Sequence, residues 1–262
     1  MLNYCSKFAI AGVASLGLVA GASEAATIPP VLVDDFQGYD LGDLAGQGYW
    51  DYVDDPRADG NTQVQIKPGV AGDKVFASNE FSDIAFNNDP VFADHLPVGG
   101  SATVYFQLRV DSPSDMSFGF AQSDSPDWPF GEFATQAGVT GTILDEDGEE
   151  VRTNLRAHDG DGFQMLTEIE LREWYELWFD IDNDNQLWSL RIRGGDDFED
   201  ENVAPTVLAS DFGFRNTAES PIQSMLVHTR DGMAYIDNIY IPEPASLALL
   251  GVGGLMLLRR RR

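Results

Sequence analysis

Apolar and polar residues alternate with a period of two through most of the middle of the chain, in short runs broken by clusters of Gly, Asp and Asn. Successive side chains of a strand point to opposite faces, so such runs predict strands with one buried and one wetter face. In Thr103 to Val110 the apolar face holds Val104, Phe106, Leu108 and Val110, and the other holds Thr103, Tyr105, Gln107 and Arg109. Met116 to Ala121, Val151 to Ala157, Ile222 to Thr229 and Met233 to Ile241 are further strand candidates, and Asp145-Glu146-Asp147-Gly148 reads as a hairpin loop. The best-defined hairpin rises through Trp174 to Asp182, turns at Asn183-Asp184 and returns through Asn185 to Arg193. With Asp182 opposite Asn185, Phe179 faces Trp188, Leu177 faces Leu190 and Tyr175 faces Ile192. The same register sets Glu176 against Arg191 and Trp174 against Arg193 on the other face, an ion pair and a cation–π contact. Many short strands with short connections, no long helical periodicity and no internal repeat predict an all-β fold, a two-sheet antiparallel sandwich forming one domain over residues 26–241.

The two ends break the alternation. Lys7 precedes an apolar run from Phe8 to Ala20, followed by the small residues Ala20-Gly21-Ala22 and Ser23-Glu24-Ala25. Charge, short apolar core and small residues in that order predict a signal peptide over residues 1–25, cleaved after Ala25. Cys5 is the sole cysteine and lies ahead of the apolar run, so the mature chain is expected to have no thiol for catalysis or metal binding. At the other end Pro242-Glu243-Pro244 precedes an apolar stretch from Ala245 to Leu258, and Arg259 to Arg262 close the sequence. A helix over that stretch would span about 21 Å against a hydrocarbon core of about 30 Å, a short transmembrane segment and a poor permanent anchor. The arginines are expected on the cytoplasmic side, with the body of the protein outside.

The charge changes the list of partners. There are 43 acidic residues against 16 basic ones, a formal net charge of -27, and five of the cations lie in the two end segments. Such a body repels phosphate backbones, so nucleic acid is excluded as a partner.

Pro242-Glu243-Pro244, then a short apolar helix, then terminal arginines resembles the PEP-CTERM sorting signal. The resemblance covers residues 242–262 and implies a Gram-negative host and an inner-membrane-tethered precursor. It also implies processing by signal peptidase and by exosortase, a membrane-embedded transpeptidase-like cysteine protease, with delivery to the cell surface or extracellular matrix. Within the body, "DDFQGYDLGDLAGQGYW" at Asp34 to Trp50, the central "WYELWFDID" and the closing "YIDNIYI" at Tyr235 to Ile241 resemble the concanavalin A-like, LamG-like jelly-roll family. That resemblance implies a jelly-roll sandwich with its first and last strands side by side. The family holds lectins, carbohydrate-binding modules, glycosidases and modules without known ligand.

Candidate chemistry follows from a few clusters. Glu168, Glu170 and Glu173 have the spacing of the E-x-D-x-x-E motif of laminarinase-like glycosidases, where alternate residues on a strand place two carboxylates about 5 Å apart. Glu170 stands where that motif has Asp and Arg172 where it is usually apolar, and in so acidic a chain three nearby glutamates arise by chance, so a solvated loop before Trp174 is the expected reading. Asp35 and Asp237 lie in strands that the fold would bring together and are candidates for a structural Ca²⁺, a cation that takes hard oxygen ligands; turn-capping is the alternative. His95, His158 and His228 show no metal spacing. The sharpest candidate is the non-core face of the central hairpin, where Trp174, Glu176 and Trp178 share a side with Arg191 and Arg193. Indole faces there would stack on sugar rings while the charged groups bind hydroxyls, unless loops cover the tryptophans as a second packed layer. The expectation is a non-catalytic module binding an extracellular polysaccharide, with a glycoside hydrolase or lyase of the same fold, or a purely structural surface protein, as the alternatives.

Overall fold

The computed structural model describes residues 30–53, 62–78, 83–112, 115–126 and 129–242. The segment ending at Ala25, and Glu243, Pro244 and the apolar and arginine-rich tail, lie outside the described residues; Pro242 is the last one described. Among the described residues no helix is long and apolar enough to cross a membrane.

The chain forms β1 (Val31–Asp34), β2 (Gly42–Asp43), β3 (Trp50–Tyr52), β4 (Gln63–Ile66), β5 (Lys74–Ser78), β6 (Asp83–Asn87), β7 (Ser101–Val110) and β8 (Met116–Ala121). After these come β9 (Phe133–Leu144), β10 (Glu150–His158), β11 (Phe163–Glu170), β12 (Trp174–Asp182), β13 (Leu187–Gly194), β14 (Thr206–Gly213), β15 (Ser224–Thr229) and β16 (Ala234–Ile241). Two short helices, α1 (Val91–His95) and α2 (Pro129–Glu132), sit in connections. A nine-stranded antiparallel sheet runs β14-β13-β12-β7-β16-β5-β4-β2, with β1 also paired to β16; a seven-stranded sheet runs β11-β10-β9-β8-β15-β6-β3. The fold is thus the expected all-β, two-sheet antiparallel jelly-roll sandwich, and its first and last strands do pair, Val31 with Ile241 and Leu32 with Tyr240.

Alternation decides what fills the space between the sheets. Val104, Phe106, Leu108 and Val110 of β7 are buried in the core together with Tyr175, Leu177, Phe179 and Ile181 of β12 and Phe118 and Phe120 of β8. Phe179 joins the two sheets. It stacks on Trp188 (5.2 Å, 6° between planes) and on Phe106 (5.7 Å, 24°) within its own sheet, and meets the edges of Phe118 and Phe120 across the sandwich. β9, which no alternation announced, is buried along its first seven residues on both faces, so it shows no period of two. It packs closely on β8 because Gly119 and Gly138 lack a Cβ: one at Gly119 would stand 2.0 Å from the Thr135 carbonyl oxygen, and one at Gly138 2.1 Å from that of Met116.

The central hairpin departs from the expected register. Asp182 pairs with Leu187, so the connection has four residues, Asn183 to Gln186. The Asp182 carboxylate accepts the backbone N–H groups of Asp184 and Asn185 and the side-chain amide of Asn185, and Gln186 takes a positive φ of 55°. The buried Asn183 side chain donates to the carbonyls of Pro97 and Ser220, which anchors the loop to its surroundings. A slide of two residues leaves every side chain on its expected face and changes only its partner. Phe179 now faces Leu190, Leu177 faces Ile192, Glu176 faces Arg193 and Trp178 faces Arg191.

The stacked Phe179 ring yields a stability prediction. Replacing Phe179 by Ala should lower the unfolding free energy by about 3–5 kcal/mol, the usual cost of emptying a fully buried aromatic site. Guanidinium denaturation followed by tryptophan fluorescence measures it, and a loss below about 1 kcal/mol would mean that the sheets are held together elsewhere.

Candidate functional site

Directly opposed residues on neighbouring strands share a face, so the outer surface of the nine-stranded sheet is a ladder of transverse rungs. Ser189, Asp180 and Thr103 form the first. Val207, Arg191, Trp178, Tyr105, Tyr240 and Leu32 form the second, from β14 to β1. The third holds Arg193, Glu176, Gln107 and Asp237, and the fourth Trp174, Arg109, Tyr235 and Ala77.

The second rung is aromatic and open to solvent. The Trp178 and Tyr105 rings lie 5.3 Å apart and the Tyr105 and Tyr240 rings 6.2 Å apart, all three half-buried. Its ends are exposed: Val207 keeps 58% and Leu32 46% of its surface. At about 4.8 Å per strand, six residues span about 24 Å. The Arg191 and Arg193 guanidinium groups lie 5.7 and 5.5 Å from the Trp178 ring, close enough for cation–π attraction.

Charge is held beside the row in fixed pairs. Arg191 donates to both Asp180 oxygens at 2.7 and 2.8 Å, and Thr103 adds a hydroxyl bond to the same carboxylate. Arg193 donates to both oxygens of the buried Glu176 at 2.5 and 2.8 Å and uses its remaining nitrogen on the carbonyls of Asp200 and Val203. Glu176 also accepts the Tyr105 hydroxyl and the Glu199 backbone N–H. Burial pushes the Tyr105 phenol above its ordinary range, with the Glu176 charge acting in the same direction. On the third rung Lys67 reaches Asp237 at 2.6 Å and Gln107 at 3.1 Å. Burial still pushes the Asp237 carboxyl up to about 6, against the pull of the Lys67 ammonium.

Trp174, Glu176 and Trp178 share the outer face, yet they do not form one open platform. The loop that follows β13 crosses over Trp174, which is only 9% exposed, and lays Phe198 on it at 6.3 Å. Lys67 stands over the same indole at 4.6 Å. Covering loops thus account for Trp174 and Glu176, while Trp178 stays at the surface. Tyr105 and Tyr240 complete the aromatic row and are not among the candidates read from the sequence; they stand there as outward residues of two alternating strands, and only the strand order makes them neighbours of Trp178.

The other candidates are placed differently. Glu168 and Glu170 lie on β11, an edge strand of the seven-stranded sheet, and Glu173 in the tight turn before β12, so the expected solvated loop is in part a strand. All three are exposed, and Glu168 is engaged in an ion pair with Arg152. Glu168 lines a pocket of about 240 Å³ together with Asp197, Tyr175 and Ile169, whereas Glu170 and Glu173 do not. The first strand, which ends one residue before Asp35, does pair with the strand that carries Asp237. Asp35 accepts the Gln37 backbone N–H in a turn, and Asp237 is filled by Lys67, which a Ca²⁺ would have to displace. No group of three or more His, Cys, Asp or Glu side chains that could hold a metal ion occurs among the described residues. The buried carboxylate at the start of the fold is Asp34, which accepts the Phe36 N–H, the Tyr39 hydroxyl and the Trp50 indole N–H at 2.8, 2.6 and 2.7 Å. His228 is buried in β15, and burial lowers it to about 4.

No protein-family model matches the chain, and no curated protein matches it. Solved structures are similar over most of its length at low identity. The catalytic domain of a glycoside hydrolase family 131 protein from Coprinopsis cinerea is 10% identical, with 82% of this chain and 94% of that one covered and a TM-score of 0.50. A GH131 β-glucanase catalytic domain from Podospora anserina is 11% identical over 81% and 86%, TM-score 0.42. The carbohydrate binding module CBM66 from Bacillus subtilis is 11% identical over 76% and 98%, TM-score 0.39. The first likeness supports the sandwich fold.

The Asp237 environment predicts a pH signature. Its folded value of about 6 lies above the ordinary 3.8, so the folded protein holds this proton more tightly than the unfolded chain. The contribution favours folding below about pH 4 and is lost as the pH rises through 6. The stability difference between wild type and Asp237→Asn should therefore move in the variant's favour by up to about 3 kcal/mol between pH 4 and 7. Guanidinium titrations across that range check this, and a difference independent of pH would refute it.

Proposed function

We propose that this chain is an exported, non-catalytic carbohydrate-binding β-sandwich whose outer aromatic row stacks on an extracellular polysaccharide. The observation that carries the reading is the alignment of Trp178, Tyr105 and Tyr240 across three adjacent strands, half-exposed, with Arg191 and Asp180 beside them. Apolar C–H faces of sugars are recognised by aromatic rings fixed in place before binding, and hydroxyls by bidentate polar groups at the rim. Here the rings are fixed by packing on one another and by the pairs beneath them. A row supported on rigid strands gains affinity because little of it has to be ordered on binding.

Export is the second part of the proposal. It rests on the order of apolar run and small residues ahead of Ala25, and on Pro242, Glu243 and Pro244 followed by the apolar run and arginines. The described strands run from Val31 to Ile241, between the two segments. Signal peptidase and exosortase are the proposed processing partners, with a tethered precursor at the inner membrane and a mature protein at the surface or in the matrix of a Gram-negative cell.

Hydrolysis is the second reading, favoured by the fold shared with a glycoside hydrolase 131 catalytic domain and by Glu168 at the wall of a pocket. Turnover of a β-glucan panel separates it from binding alone.

Trp178→Ala should reduce retention on a bound polysaccharide at least about tenfold, the loss expected for a central aromatic contact, while shifting the melting temperature by only a few degrees because the ring is half-buried. Undiminished retention would sink the aromatic-row reading. For export, mass spectrometry of surface-displayed protein should find chains that end near Pro244; intact Arg259 to Arg262 on that material would refute the sorting proposal.

A further inference from the structure

We infer that the aromatic row selects neutral polysaccharides and rejects those bearing carboxylate or sulfate groups; the inference rests on the binding reading above and names the class of its ligand. Among the described residues, the three cations bordering the row, Arg191, Arg193 and Lys67, are already matched. Arg191 is held in two parallel bonds by Asp180, Arg193 in two by Glu176, and Lys67 by Asp237, with Asp73 3.7 Å away. A guanidinium has two forked donor edges and recognises a sugar carboxylate through two parallel bonds from one of them and through its net positive charge. At Arg191 the Nε/Nη2 edge is occupied by Asp180, so the outer edge belongs to a pair with no net charge, and at Arg193 Glu176 takes the same edge while the last nitrogen is spent on backbone carbonyls.

What lies beyond these pairs is negative. Glu199 hangs over the third rung and accepts a bond from Gln107, and the loop that carries it adds Asp196, Asp197, Asp200 and Glu201, all exposed. At the far end of the row burial raises the Tyr240 phenol above its ordinary range, and the Asp35 and Asp237 charges act in the same direction. A neutral sugar meets no such opposition. Its hydroxyls can take the third guanidinium nitrogen of Arg191 and the Tyr240 hydroxyl, neither of which makes a hydrogen bond among the described residues, while its C–H face lies on Trp178 and Tyr105. Fixed pairs of this kind contribute discrimination rather than affinity, because like charge brought against the acidic partner is repelled.

The test uses full-length protein in neutral detergent and immobilised polymers in matched pairs: hydroxyethyl cellulose against carboxymethyl cellulose, and dextran against dextran sulfate, at 20 and 300 mM salt. In any pair that is bound, the neutral member should be held at least tenfold more tightly at low salt, and added salt should narrow the gap by screening. Asp180→Asn keeps the Thr103 contact but releases the charge of Arg191, and should narrow the gap at least fivefold by raising retention on the anionic polymer; Asp180→Asn combined with Arg191→Gln should restore it. Equal or tighter binding of the anionic member overturns the inference and leaves the binding reading standing. A folded Asp180→Asn protein with an unchanged gap also overturns it. Absence of retention on every polymer removes the binding reading and this inference together.

Discussion

Phe179 fixes the orientation of everything around it. Its ring lies parallel to Trp188, stacks on Phe106 and takes two edge contacts from the opposite sheet, so it can occupy only one side of β12. A strand whose residue 179 points inward must point 178 and 180 outward, and 176 and 174 with them. The candidate site is therefore a consequence of core packing: the inner aromatic cluster orients Trp178, and the outward side of the same strand supplies Asp180 and Glu176 to hold the arginines. Loosening the core would disturb the site without touching any of its residues.

The outward side has a constraint of its own. Charged residues on a central strand of a broad sheet lose water on both flanks and under any loop that crosses them, and an unpaired charge there is costly. The nine-stranded sheet meets this with pairs that join neighbouring strands, Arg191 to Asp180 and Arg193 to Glu176, and with Lys67 reaching in from a loop to Asp237. Pairing keeps the charges in place and balances each arginine with a carboxylate on the neighbouring strand. The loop after β13 then covers the most heavily charged rung, leaving the aromatic rung beside it as the accessible strip.

Local pattern carried much of this. Alternation in Thr103 to Val110 and in Trp174 to Arg193 was enough to place strands and to assign their faces, and Met116–Ala121 and Trp174–Asp182 are strands with the bounds that alternation implied. Register was less legible, because Asp182 can cap a two-residue or a four-residue connection and both keep the same faces; the choice is made by Asn183, whose side chain binds carbonyls far away in sequence. β9 gave no alternation because both its faces are buried. The aromatic row was hidden for a topological reason. Tyr105, Trp178 and Tyr240 stand on strands that become neighbours only in the folded sheet, and the pairing of Lys67 with Asp237 spans 170 positions.

That same long range makes the site sensitive to closure of the sandwich. The row ends on Leu32, which pairs with Tyr240, so the first strand forms one margin of the surface and the last strand forms the next. Contacts of such separation carry the full entropy of closing the chain and become favourable only once the intervening strands are in place. A chain with its central hairpin formed but β1 unpaired would present Trp178 and Tyr105 with Tyr240 lacking its outer neighbour, a shorter row with an open sheet edge beside it. The complete row exists only when the two ends of the domain have met, so binding through it would select molecules that have finished folding.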